Sequence, residues 1–169
     1  MSKQVLEAVK LALSLERGEV DYYRLASDKT CNPSGRKMFS YLADEEESHI
    51  AALEKQLEAF EGSGGWLTDE EAFDKKACRM LSSKKPEDVI PDELSGDSGD
   101  VEAVSQAIEI EKKSIAFYED AACKVKDEKA LKMFHYLIRA EKEHRKDLEM
   151  QLTFLKSAGM WLDNEVMLS

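Results

Sequence analysis

The sequence matches itself at an offset of 95 residues. EAV at 7–9 falls on EAV at 102–104, Glu16 on Glu111, Tyr23 on Tyr118, and KMFSYL at 37–42 on KMFHYL at 132–137. The register continues without a gap through Leu53 on Leu148, QL at 56–57 on QL at 151–152, and WL at 66–67 on WL at 161–162. A chain made of two copies of one unit is restricted to architectures in which each copy forms the same elements and buries its apolar face against the other.

Each unit reads as two helices. Val5, Val9, Ala12, Glu16, Glu19, Tyr23 and Ala26 recur in steps of three or four, which lines them along one helical face that is apolar except at its acids. Met38, Leu42, Glu46, His49, Leu53, Gln56 or Leu57, and Phe60 do the same in a second helix, with NPSG at 32–35 as the turn between the two. The second unit repeats both over about 100–123 and 128–157, with Asp127 as an N-cap. Between the units, residues from about 62 to 100 form a crossover, in which TDEEAFDKKACRML has the pattern of a short helix. A helix of ~25 residues is ~38 Å long. The crossover is long enough to run back along such a helix, so that both pairs share one core. The expected fold is all-α: a four-helix bundle of two repeated helix pairs joined by a long crossover, one domain over 1–169 with repeat one at 1–70 and repeat two at 100–169. Hydrophobic residues at 43%, charged residues at 35% and only three prolines suit a helix-rich globular chain.

The tract DEEESH at 44–49 places four acids and a histidine in the middle of a helix that otherwise buries Met38, Leu42, Leu53 and Leu57. The repeat shows which of them matter. Glu45 falls on Ala140 and Glu47 on Lys142, so neither position demands a carboxylate, whereas Glu46 falls on Glu141 and His49 on His144. The recurring element is E-x-x-H on the apolar stripe, and a spacing of three puts both side chains on one helix face. Glu16 and Glu111 sit on the corresponding stripes of the other two helices. Four glutamates and two histidines therefore converge inward. A Glu from each of two helices with Glu-x-x-His from each of the other two is the known signature of ferritin-like di-iron or di-manganese carboxylate bundles. Charge supports it independently, because four carboxylates in an apolar core are severely penalised unless protonated or paired, and two divalent ions supply the balancing charge. Oxygen-rich ligation with one imidazole per ion suits iron or manganese, and the absence of thiolates argues against structural zinc.

At these residues the sequence resembles the rubrerythrin group of ferritin-like proteins. In that group a two-fold repeated helix pair carries a di-iron site. The resemblance covers essentially the whole chain and rests on the paired E-x-x-H, each preceded at about thirty residues by a Glu with a Tyr seven residues beyond it. It implies two iron ions, with manganese also compatible, held by Glu16, Glu46, His49, Glu111, Glu141 and His144. It implies that the hydroxyls of Tyr23 and Tyr118 hold ligand carboxylates from other helices. It further implies reduction of hydrogen peroxide to water. Dioxygen is the other candidate oxidant. A ferroxidase or iron-handling protein and a non-enzymatic bundle with structural metals are the alternative readings. Two departures stand out. Rubrerythrins proper carry a rubredoxin domain with four cysteine ligands, and this chain has no C-x-x-C, so an external rubredoxin-like protein is the expected electron donor. The family tends to carry a seventh carboxylate one turn after the ligand of the third helix, where this chain has Ser114; Glu19, its repeat counterpart, either takes that role or sits at the bundle rim.

The remaining features set limits. A net charge of −11 without a basic patch argues against nucleic acid and anionic membrane surfaces as partners. No window approaches ~18 apolar residues and the N-terminus has no uninterrupted apolar core, so neither membrane insertion nor secretion is expected. Cys31, Cys78 and Cys123 are odd in number and far apart, which argues against a disulfide framework and fits a reducing cytoplasm. They read as buried small hydrophobes, with Cys31 in a polar turn the exception. His135 falls on Ser40 and reads as a surface residue, while Trp66 and Trp161 read as packing contacts after helix C-caps at Gly64 and Gly159. The long crossover is compatible with a homodimer that exchanges helix pairs.

Overall fold

The computed structural model describes residues 3–67, 72 and 98–162. Among them lie four α-helices and no strand: α1 (Lys3–Lys29), α2 (Pro33–Ser63), α3 (Ser98–Lys124) and α4 (Glu128–Ala158). α1 packs along α2 and α3 along α4, and the two hairpins meet through α1 and α3. The chain is the all-α four-helix bundle that the repeat requires. The expected crossover helix lies outside the described residues except for Ala72, which is buried in the same core cluster as Val5, Val9 and Ala121.

Local chemistry explains where the helices start and stop, and it does so twice over. Asn32 and Asp127 are extended N-caps. Each accepts two backbone N–H bonds from the first turn, from Ser34 and Gly35 and from Lys129 and Ala130 respectively. NPSG therefore contributes less to the turn than expected: only Asn32 lies outside α2. Pro33 opens the helix, where its missing N–H costs nothing. At the other ends Gly64 and Gly159 adopt φ of 70° and 68°, and their N–H groups close on Phe60 and Leu155. Beyond each cap, Gln56 donates to the carbonyl of Leu67 at 3.1 Å and accepts its N–H at 2.9 Å, while Gln151 does the same for Leu162 at 3.0 and 2.9 Å. Those paired bonds hold Trp66 and Trp161 over the bundle ends, both buried. Trp161 packs so closely on α2 that a Cβ at Gly35 would stand 2.6 Å from its Cζ2, and its Nε1 donates to Asp100 at 2.8 Å.

The apolar core falls into two parts. One gathers Leu13, Leu53, Tyr118, Phe134 and Leu137, the other Tyr23, Phe39, Leu42, Ile108 and Leu148. On every helix the chain passes from one cluster to the other across a charged residue: Leu13–Glu16–Tyr23, Leu42–Glu46–Leu53, Ile108–Glu111–Tyr118 and Leu137–Glu141–Leu148. Burying each large side chain of these clusters stabilises the fold by roughly 1.5–3 kcal/mol. The acids between them are the part that apolar packing cannot explain. Outside the core, Cys31 and Cys123 are both exposed, so Cys123 departs from the expected buried position because its side of α3 faces solvent. Cys78 lies outside the described residues. His135 is exposed, as expected. No described helix is long and apolar enough to cross a membrane.

Candidate metal centre

Midway along the bundle, Glu16 from α1, Glu46 and His49 from α2, Glu111 from α3 and Glu141 and His144 from α4 are all buried, none more than 2% exposed. They form two overlapping groups whose ligand atoms lie within 4.8 Å of one another: Glu16, Glu46, His49 and Glu141, and Glu46, Glu111, Glu141 and His144. Glu46 and Glu141 belong to both. Glu46 turns Oε2 to His49 Nδ1 at 2.8 Å and Oε1 to His144 Nδ1 at 3.0 Å. Glu141 turns Oε1 to His49 at 3.4 Å and Oε2 to His144 at 3.2 Å. Each shared carboxylate thus spans the two imidazoles, whose centroids are 5.9 Å apart with planes at 23°. Glu16 approaches only His49, at 3.3 Å, and Glu111 only His144, at 3.8 Å. This is a bridged pair of positions with one terminal carboxylate and one imidazole each.

Whether such a set fits metal ions is tested by what its atoms otherwise bond. Both oxygens of Glu46, Oε1 of Glu141, Oε2 of Glu16, Oε2 of Glu111 and Nδ1 of His49 are buried without a hydrogen-bond partner among the described residues. His49 Nδ1 lies near Glu46 Oε2 but out of hydrogen-bond alignment, so proximity alone does not satisfy either atom. Buried polar atoms left in this state cost about 1–3 kcal/mol each, more for charged groups. Several converge on two points, a donor set whose bonding cations would complete. The buried Glu/His groups are compatible with a di-iron site.

The electrostatics of the protein alone point the same way. Burial pushes Glu16 up to about 8, with Glu141 and Glu46 adding to the shift against the opposing pull of His49. Burial likewise raises Glu111, joined by the charge of Glu141. Burial opposes ionisation of Glu46 too, but the imidazoles of His144 and His49 outweigh it and hold that carboxyl below its ordinary value. Glu141 is also lowered: burial and the charge of Glu46 work against its ionisation, and the imidazoles of His144 and His49 outweigh them. In return both histidines are raised: burial works against their charge, and Glu16 and Glu46 beside His49, or Glu46 and Glu141 beside His144, prevail. Without cations the cluster retains protons to limit its own repulsion.

Around the six, the two hairpins exchange hydrogen bonds. Tyr23 of α1 donates to Glu111 Oε1 of α3, and Tyr118 of α3 donates to Glu16 Oε1 of α1. Burial first, and then these carboxylates, raise both phenols, so they remain protonated donors. Glu19 is buried at 3% exposure, not at the rim; it accepts a hydrogen bond from Ser114 Oγ, lies outside both four-residue groups, and leaves Oε2 without a partner. Burial and the charges of Glu141, Glu46, Glu16 and Glu111 raise it well above the usual carboxylate range.

Two features went unanticipated. Glu45, matched by Ala140 and so not required by the repeat, is only 4% exposed, whereas Glu47 is exposed and pairs with Arg24 at 2.9 Å. Tyr136 packs its ring edge-on to His49 at 6.3 Å, and Tyr41, its repeat counterpart, is pushed up to about 12 by burial and by Glu45, with His144 close enough to pull the other way. The tyrosine pair was visible in the shared KMF-x-YL.

The chain resembles known structures. A hypothetical protein from Pyrococcus furiosus superposes with a TM-score of 0.65 at 20% identity, covering 93% of this chain and 93% of that one. A hypothetical protein from Methanococcus jannaschii gives 0.66 at 17% identity, covering 98% of this chain and 90% of the other. Both share the fold. Comparison with curated proteins gives no match. The family model described as Rubrerythrin matches residues 7–152, which reaches into all four helices and includes all six converging residues. With that match added to the bridged Glu/His arrangement, the chain belongs to the Rubrerythrin family.

Proposed function

We propose that this chain is a di-iron oxidoreductase that reduces hydrogen peroxide to water with electrons from an external, rubredoxin-like donor protein. The observation that carries the reading is the sharing of Glu46 and Glu141 between two imidazole-bearing groups inside a closed apolar bundle. A pair of irons held there by Glu16, Glu46, His49, Glu111, Glu141 and His144 would supply two electrons at one location, the number needed to cleave one peroxide into two waters.

The protein's own part follows from its geometry. Glu46 and Glu141 set the spacing of the two positions, while Glu16 and Glu111 are terminal groups whose outer oxygens are fixed by Tyr118 and Tyr23. Leu42, Leu53, Leu137 and Leu148, all fully buried, exclude bulk water above and below. Peroxide reduction also consumes protons. Burial and the surrounding acids raise Glu19, which favours its protonated form, and Ser114 holds its other oxygen. Its free Oε2 suits it to deliver that proton or to serve as a seventh carboxylate ligand.

Metal analysis with anaerobic peroxide titration tests the reading. The protein should hold two irons per chain, react with a stoichiometric amount of peroxide and stop, then resume when reduced rubredoxin is added. Accumulation of ferric product beyond the two positions would instead identify an iron-handling protein. Metals that show no redox cycle would make the site structural.

A further inference from the structure

Tyr22 stands where the second repeat has Phe117, and it takes no part in holding the six converging residues. Its ring meets that of Tyr23 edge to face, with centroids 5.7 Å apart and planes at 73°. Tyr23 in turn donates to Glu111 Oε1. On its outer side Tyr22 is half-buried, and its hydroxyl donates to the carbonyl of Ala103 at 2.7 Å with Gln106 Oε1 at 3.4 Å. Two phenols therefore make an unbroken line from a carboxylate of the centre to the surface.

The other half of the bundle has the same geometry without the same chemistry. Phe117 contacts Tyr118 at 5.3 Å and 66°, but a phenyl ring has no hydroxyl hydrogen to lose with an electron. A second route from Tyr23 runs through Phe39, stacked at 6.3 Å, to Trp161, 5.8 Å further on. That route is interrupted by a phenyl ring, and Asp100 holds the indole N–H at its end.

We propose that Tyr23 and Tyr22 form a one-electron path by which the centre, when short of reducing electrons, draws the missing one from the protein surface. This rests on the di-iron peroxide reading above. Reducing one peroxide to two waters takes two electrons and two protons. Where the centre holds only one electron, Tyr23 supplies the other, its O–H bond breaking as the proton passes to Glu111 Oε1. Tyr22 then gives its electron to Tyr23, which recovers its proton from Glu111, and the Tyr22 proton leaves to water at the half-exposed hydroxyl. In sum, one peroxide, one electron from the centre, one hydrogen atom from Tyr22 and one solvent proton give two waters and a neutral Tyr22 phenoxyl. A reductant arriving at the surface restores Tyr22 with one electron and one proton, without entering the core.

The test uses the iron-loaded full chain, reduced to an average of one electron per centre, mixed anaerobically with hydrogen peroxide, frozen and read by electron paramagnetic resonance. Wild type should give a slow-relaxing tyrosyl radical on half-exposed Tyr22, and Tyr22→Phe should lose that signal, leaving in its place only a broadened, fast-relaxing radical on Tyr23 beside the iron pair. The double variant Tyr22→Phe with Phe117→Tyr should regain the slow-relaxing signal, because the second repeat then offers the same line through Tyr118 to Glu16. Iron content is measured on the same samples. A slow-relaxing tyrosyl signal that persists unchanged in Tyr22→Phe, or a tryptophanyl signal in its place, would overturn the path. So would a wild type that holds two irons, consumes peroxide and shows no radical, while leaving the peroxide reading intact. A wild type that takes up no iron would remove both.

Discussion

Tyr118 on α3 donates its hydroxyl to Glu16 on α1, across the junction of the two hairpins, and Tyr23 on α1 returns the same bond to Glu111 on α3. Each phenol therefore fixes a carboxylate that its own helix does not supply. Tyr118→Phe should leave Glu16 Oε1 buried and unsatisfied at a cost of about 1–3 kcal/mol. The melting temperature should fall, and metal affinity should weaken first at the position shared by Glu16 and His49. Tyr23→Phe should weaken the other position. Calorimetric metal titration of the two variants separates the effects.

Glu46 and Glu141 serve both groups, whereas Glu16 and Glu111 serve one each. Glu46→Ala or Glu141→Ala should strip both ions. Glu111→Ala should impair one position more than the other. Glu45→Ala and Glu47→Ala should keep the full metal content, since neither joins either group. Elemental analysis of the purified variants decides, and loss of metal from Glu45→Ala with none from Glu46→Ala would reverse the assignment.

The metal-free protein should become less stable as pH rises. Glu16 titrates at about 8 in the fold against 4.5 ordinarily, so between those values the folded state binds a proton that the unfolded state does not. Stability from this group is complete below 4.5 and lost as pH climbs through about 8. Glu19, Glu111, His49 and His144 are all raised and act in the same direction. Glu46 and Glu141 are lowered and act oppositely, withdrawing stability only as pH falls below their ordinary range. Metal binding needs deprotonated ligands, so the loaded protein should show the reverse trend. Thermal melts with and without metal, from mildly acidic to mildly alkaline buffer, provide the comparison.

Two glycines should respond in opposite ways to the same change. Gly35→Ala drives a methyl to 2.6 Å from the ring of buried Trp161. Overpacking of this kind costs typically about 1–3 kcal/mol, more than the ~1 kcal/mol that alanine adds to a helix. Gly18 lies within α1 and an added Cβ there meets nothing within 4 Å, so Gly18→Ala should stabilise. Chemical denaturation midpoints measure both.

Much of this was legible because duplication gives each inward position a second copy. Glu46, His49 and Glu16 could be separated from the surrounding acids by asking which returned 95 residues later, and Asn32 and Asp127 confirm the register at the helix starts. Where the copies differ, the comparison loses its power. Glu45 was passed over because Ala140 carries no charge, yet Ala140 is itself buried, at 4%, so both copies place that position inside. Ser114 looked like an absent carboxylate. It is the residue that holds Glu19, its own repeat counterpart, because equivalent positions of α1 and α3 meet there; two glutamates would face each other with like charge. Contacts between a residue and its copy depend on how the hairpins dock, which no periodicity along a single helix records.

The composition of the two ligand groups has a mechanical consequence. Each takes three donors from one hairpin and its fourth from the other: Glu141 completes the group of α1 and α2, and Glu46 completes that of α3 and α4. An ion at either position would then be a cross-link over the seam between the two halves of the molecule. In the loaded protein the hairpins could not part without surrendering a ligand from each ion, so detachment of one half and release of metal would be a single event, and the lifetime of the closed bundle would be tied to how slowly its ions leave.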